Sequence, residues 1–179
     1  DGSDPAPAKP KGPERKGQII NVLGVKGGVG TTTIAVNLAD SLVRLDGQPT
    51  VALIDMNRLF GEIPLFLSLE HVFNWVDISK NIARLDATYL TGILYRHRSG
   101  LRVLPSPDRV DDDKYTVTPQ VIESMLRLMR TMFDYVIIDC QPTLGVLPVN
   151  AMVAADHFLI PAQPSGYAIR GLGDLLETL

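Results

Sequence analysis

Apolar residues fall along this chain in two alternating rhythms. Gln18-Ile19-Ile20-Asn21-Val22-Leu23-Gly24 is a short apolar run closed by glycine, which fits a buried strand of a parallel sheet. Directly after it, Ile34, Leu38 and Leu42 recur at four-residue spacing with Ala35, Ala39 and Val43 beside them, so residues 32 to 45 read as a helix with one packing stripe. The turn signal Asp46-Gly47-Gln48-Pro49 leads into a second strand, Thr50 to Asp55. Residues 82 to 97 read as helix and Leu101 to Leu104 as strand. Pro119 to Phe133 reads as helix, with Ile122, Met125, Leu126 and Met129 on one face. Two more strands are predicted at Tyr135 to Asp139 and His157 to Pro161, and Ser165 is a candidate cap for a last helix whose stripe includes Leu172, Leu175, Leu176 and Leu179. Strands alternating with helices predict an α/β fold: a mostly parallel sheet with right-handed crossovers and helices on both faces. No internal repeat is present.

The first 17 residues break this pattern. With Pro5, Pro7, Pro10 and Pro13 among Lys9, Lys11, Arg15 and Lys16, they have too little apolar surface to fold and read as a disordered Pro/Lys-rich linker. Residues 18–179 then read as one domain. No methionine precedes Asp1, and the leucine stripe reaches Leu179 without a capping glycine or a following proline, so both ends read as cut from a longer polypeptide, with the domain truncated at its C-terminus.

Composition narrows the class without naming it. The 179 residues are 45% hydrophobic and 21% charged, with a net charge of −3, which is ordinary for a globular domain with a single core. Nothing in this overall balance argues for binding to nucleic acid or an anionic membrane. No apolar run approaches the roughly 20 residues of a membrane span. One cysteine excludes an internal disulfide and suits the cytoplasm.

The chemistry lies at residues 25 to 33, Val-Lys-Gly-Gly-Val-Gly-Thr-Thr-Thr. Strand, glycine-rich turn and helix start, in that order, aim backbone N–H groups and the positive end of a helix dipole at one point, where phosphate oxygens bind. The usual phosphate loop reads G-x-x-x-x-G-K-[ST]. Here Val25 replaces the first glycine, Gly30 matches the second, Thr32 supplies the magnesium-binding hydroxyl, and Thr31 stands where the lysine belongs. A threonine is neutral and too short to reach the outer phosphates, so one or two charge-assisted contacts of roughly 1.5–3 kcal/mol each are missing. Lys26 is the candidate replacement. Two strand-ending acids, Asp139 in a Walker B position and Asp55, are placed to hold the water ligands of Mg2+ beside Thr32, on strands expected to flank the loop strand.

Lys26-Gly27-Gly28-Val29-Gly30 followed by Thr31, Thr32 and Thr33 resembles the deviant Walker A motif of the ParA/MinD superfamily of P-loop ATPases. The resemblance implies ATP and Mg2+ as ligands, wrapping of phosphates by Gly27 to Thr33, and a nucleotide-sandwich homodimer in which Lys26 reaches the partner's phosphates. Phe60-Gly61-Glu62-Ile63, Leu65-Phe66-Leu67 and Ser99-Gly100-Leu101-Arg102-Val103-Leu104-Pro105 look most like the CpaE/TadZ branch, whose members place and assemble pilus machinery at bacterial poles. Loss of the loop lysine is shared by that branch and by BcsQ-type proteins of cellulose secretion. The implied partners are pilus or secretion assembly proteins, at a cytoplasmic, polar or inner-membrane-peripheral location, with membrane contact indirect or unknown. In many such proteins a receiver-like domain precedes the ATPase domain.

One departure bears on turnover. The superfamily commonly carries Asp-x-Asp after the second strand, its later aspartate positioning the attacking water, whereas this chain has Asp55-Met56-Asn57. Lys26, Asp55 and Asn57 are therefore the candidate catalytic and switch residues, and hydrolysis is expected to be slow. An active ParA-type partitioning ATPase is the rival reading, and a scaffold that dimerises without nucleotide is the third. Cys140 reads as a packing residue, Trp75 and Phe73 likewise. His71, His97 and His157 have no metal-ligand spacing, and the Arg96, His97, Arg98, Arg102 cluster reads as a solvated turn.

Overall fold

The computed structural model describes residues 16–24, 26–58, 60–108, 117–141, 145–162 and 173. Among them six strands form one sheet in the order β3-β4-β2-β5-β1-β6: β1 Gln18–Leu23, β2 Val51–Asp55, β3 Tyr95–Arg96, β4 Arg102–Leu104, β5 Tyr135–Cys140 and β6 His157–Leu159. All neighbours run parallel except β3 and β4, which form an antiparallel edge hairpin. This is the α/β arrangement expected from the sequence, a mostly parallel sheet with helices on both faces.

Both faces of the sheet are covered, and the strand sequences say why. Val51 and Leu53 of β2 pack with Ile137 of β5 and Ala35 and Ala39 of α1 (Thr31–Val43) on one side. Ala52, Ile54, Val136 and Ile138 point the other way, against Met125, Leu126 and Met129 of α5 (Pro119–Met132). Apolar residues at successive strand positions thus serve two cores, as strands buried on both faces require. Helices α2 (Ile63–Leu67), α3 (Trp75–Lys80), α4 (Ala87–Ile93) and α6 (Val146–Ala154) complete the described helices. Trp75 is buried at the start of α3 as expected, while Phe73 is exposed.

Two expectations need correction, and three helices carried no signal in the sequence. Residues 82 to 97 do not form one helix. A 3-10 turn, Ile82–Arg84, gives way to α4, which restarts where the Asp86 side chain accepts the Tyr89 N–H at 2.7 Å, and the chain is extended again by Leu94. Tyr95 and Arg96 then turn back on β4 through Gly100, whose φ of 98° is open to glycine, with His97 N–H donating to the Leu101 carbonyl at 2.9 Å. Second, only β5 and β6 flank the loop strand β1, so β2 lies one strand further out than anticipated. The helices without a readable period are α2, α3 and α6. The first two are five and six residues long, and α6 is too uniformly apolar to show a stripe.

The linker through residue 15, the Ser165 cap and the final leucine stripe lie outside the described residues. Among the described residues, no helix is long and apolar enough to cross a membrane.

Candidate nucleotide site

The chain leaves β1 at Leu23, turns through the glycine-rich loop and enters α1 at Thr31. Gly28 and Gly30 have φ of 76° and 87°, conformations a side chain would resist. Gly30 is the residue before α1 and offers no side-chain cap, and the first turn of α1 holds no acid. The opening amides of the helix are thereby left to an external anion, as at other helix N-termini that bind phosphate. Gly24 was not singled out by the sequence, yet it is essential to the close turn. A Cβ there would lie 2.4 Å from Thr31 Oγ1 and 3.0 Å from the Val29 side chain.

A cavity of about 520 Å³ opens over this turn. Lys26, Gly27, Gly28, Gly30, Thr31, Thr32 and Thr33 line one side, Asn57 and Phe60 to Glu62 the other, and Asp139, Cys140 and Gln141 complete it. Lys26 is exposed, and Val29 is half-buried beneath the loop. Thr32 Oγ1 donates to Asp139 Oδ2 at 2.7 Å, joining the start of α1 to the end of β5.

The two acids are brought together but differ in access. Asp55 and Asp139 are register partners on β2 and β5. Asp55 is fully buried and faces inward: its Oδ1 accepts Asn57 Nδ2 at 2.5 Å and Asn57 N–H at 3.2 Å, and its Oδ2 accepts the Ile63 N–H at 3.4 Å. Asn57 Nδ2 also reaches Asp139 Oδ2 at 3.5 Å, so one amide bridges both carboxylates. Burial pushes the Asp139 carboxyl up to about 6, against the Thr32 hydrogen bond and with help from the charges of Asp55 and Glu62. Burial likewise raises Asp55, opposed by its bonds to Asn57 and Ile63. Cys140 is buried and its thiol is pushed far up by desolvation, which suits a packing role.

These residues fit a divalent cation bound together with phosphate. A buried carboxylate held above its usual range beside a second acid lacks a compensating charge, and a hydroxyl plus a carboxylate are hard oxygen donors of the kind Mg2+ takes. No group of three His, Cys, Asp or Glu among the described residues is arranged to hold a metal. The remaining ligands would have to be water and phosphate oxygens, which is how Mg2+ sits beside nucleotides.

Phe60, Gly61 and Glu62 join the site although only their resemblance value was noted in the sequence. The signal was present in Gly61, a glycine six residues past a strand-ending acid. Its backbone presses on Asp55, and its N–H donates to Ser106 Oγ at 2.7 Å.

Residues 17–179 match a family model described as an AAA domain. The chain is 31% identical over 171 residues to the sporulation initiation inhibitor protein Soj of Bacillus subtilis, covering 91% of this chain and 65% of that protein. Among solved structures, a ParA family ATPase from Chlorobium tepidum shares the fold with a TM-score of 0.83 at 24% identity, over 92% of this chain and 67% of that one. Cobyrinic acid a,c-diamide synthase from Mycobacterium smegmatis, with bound ATP analog and magnesium, has a TM-score of 0.72 at 25% identity, over 90% of this chain and 66% of that one. The chain therefore spans about two thirds of the length of the proteins it resembles.

Proposed function

The chain belongs to the AAA domain family matched here, within the ParA/MinD superfamily, and from that premise we propose that it is an ATP- and Mg2+-binding switch that dimerises on nucleotide and positions partner proteins of a pilus or secretion system, with slow hydrolysis. The observation that carries this reading is the charge balance of the cavity. Among its described lining residues Lys26 is the sole cation, set against Asp139 and Glu62, and Thr31 contributes none. A triphosphate brings about four negative charges, of which one Mg2+ offsets two, so a single copy leaves it under-neutralised. A second copy presenting its own Lys26 at the exposed mouth supplies the missing charge.

Within one subunit the free amides at the start of α1 and the loop backbone would bind phosphate oxygens. Thr32 and Asp139 would hold Mg2+ or its waters, and Asp55 would act behind them by fixing Asn57. Bound Mg2+ and nucleotide supply the phosphoanhydride and the cation that steadies its charge. The pilus and secretion assignment rests on the segments around Phe60–Ile63 and Ser99–Pro105. A cytoplasmic or membrane-peripheral location belongs to the same reading.

A second reading is favoured by the name of a relative. Chromosome partitioning protein ParA of Myxococcus xanthus is 32% identical over 170 residues, covering 91% of this chain and 58% of that protein. A partitioning ATPase would hydrolyse ATP rapidly in the presence of DNA. Measuring nucleotide affinity, turnover with and without DNA, and mass by light scattering separates the readings. Tight binding, slow turnover and dimers lost in Lys26→Ala support the switch. DNA-stimulated hydrolysis supports partitioning, and dimers indifferent to ATP and Lys26 overturn both in favour of a scaffold.

A further inference from the structure

Two carboxylates, Asp139 and Glu62, line the cavity and a third, Asp55, lies buried behind it, and their bonding assigns them different work. Asp55 is fully buried and occupied by Asn57 and Ile63. Asp139 is nearly as buried and is held by Thr32. Glu62 lines the cavity, is exposed, and makes no hydrogen bond or ion pair through its side chain among the described residues. It stands at the residue before α2, where an acidic side chain could cap the helix, yet it caps nothing.

The backbone on both sides of Glu62 is nonetheless fixed. Gly61 N–H donates to Ser106 Oγ at 2.7 Å, and the residue is packed on the Asp55 carboxylate. Ile63 is fully buried, with its N–H on Asp55 Oδ2. The glutamate is thus an exposed, uncommitted side chain on an anchored mount at the wall of the site. Asn57, which shares that wall, can donate or accept a hydrogen bond but cannot take a proton, and its amide is already engaged by Asp55 and Asp139.

Building on the nucleotide-binding reading above, we propose that Glu62 is the carboxylate that orients the attacking water and accepts its proton in this chain. In that step the water oxygen bonds to the terminal phosphorus, and the bond from phosphorus to the bridging oxygen breaks with its electron pair passing to the diphosphate. The water proton goes to Glu62 and from there to solvent.

The test compares wild type, Glu62→Gln, Glu62→Asp and Glu62→Ala by single-turnover hydrolysis and by affinity for a fluorescent ATP analogue with Mg2+. Glu62→Gln is expected to slow hydrolysis roughly 100-fold while affinity holds or tightens and the melting curve is unchanged. Glu62→Asp should recover part of the rate, and added formate should rescue Glu62→Ala in proportion to its concentration. Turnover within twofold of wild type in Glu62→Gln, with wild type binding and hydrolysing ATP, overturns this inference and leaves the switch reading standing. Loss of affinity in step with rate assigns Glu62 to binding and also overturns it. Wild type that binds no nucleotide overturns both.

Discussion

Gly61 lies so close to Asp55 that a Cβ on it would sit 1.9 Å from Asp55 Oδ2. Asp55 is the residue that fixes Asn57, so this contact sets how the far wall of the cavity stands relative to Asp139. Gly61→Ala must push the Asp55 carboxylate or its own backbone aside. It should destabilise the protein by about 1–3 kcal/mol, seen as a drop of several degrees in the thermal midpoint, and should weaken nucleotide binding. Gly27→Ala is the control. A Cβ there meets nothing within 4 Å and the backbone is not left-handed, so thermal stability should hold. Equal stability losses in the two variants would refute the argument.

Thr31→Lys tests the missing charge. Thr31 lines the cavity and packs tightly on Gly24, a Cβ on which would lie 2.4 Å from Thr31 Oγ1. One restored charge-assisted contact of about 1.5–3 kcal/mol corresponds to roughly 10–150-fold in affinity. Calorimetry with magnesium nucleotide should show that gain, together with weaker dependence of dimerisation on Lys26. Unchanged affinity would mean that Thr31 is not the deficit.

Much of this site was readable before any fold was known because its signals are local. A strand, three glycines and a helix start occupy consecutive positions, and Asp139 closes an unbroken apolar run. The packing face of α5 was equally plain, since Ile122, Met125, Leu126 and Met129 recur at helical spacing and all four are buried. What escaped depends on distance in sequence. Strand order decides that Asp55 neighbours Asp139 and not the loop strand, and no local pattern encodes that order. Gly24 and Gly61 matter through side chains seven and six residues away that only the folded turn brings near. The long helix expected to residue 97 failed because the Asp86 cap and the Gly100 turn outweigh a continuing apolar period.

Acidity should act on the site in a defined direction. The Asp139 carboxyl is raised from 3.8 to about 6 by burial, so in the ligand-free fold its protonated form is favoured. That contribution is present in full below about pH 4 and is lost as pH rises through 6, on the order of 3 kcal/mol at pH 7. Mg2+ requires the ionised form, so magnesium nucleotide should bind more tightly as pH rises through 6 and should release a proton on binding. Denaturant melts at pH 4.5, 6 and 7.5, with and without ligand, check both signs. Asp139→Asn should flatten the ligand-free profile in this window while abolishing the magnesium effect. A profile unchanged by that substitution would place the titration elsewhere.

Asp156 offers a way to separate stability from the site. Its Oδ2 accepts the Ile19 N–H at 2.8 Å and Arg130 Nη2 at 2.6 Å, while its own N–H donates to the Ile19 carbonyl at 2.9 Å. Arg130 in turn donates to the Ala154 carbonyl at 3.0 Å. This cluster ties α5 and the end of α6 to the start of β1, at the opposite end of that strand from the phosphate loop. Asp156→Ala leaves the Ile19 N–H without its side-chain acceptor and Arg130 without its carboxylate, a loss of about 1–3 kcal/mol for such groups. Because the pair is partly exposed, water recovers some of that, and the lower half of the range is expected. Urea melts should register the loss, while the affinity of the folded fraction for magnesium nucleotide, measured well below the transition, should stay within about twofold. A large fall in affinity without a fall in stability would show that the start of β1 communicates with the loop, and would contradict the view that the site depends only on the strand ends that carry it.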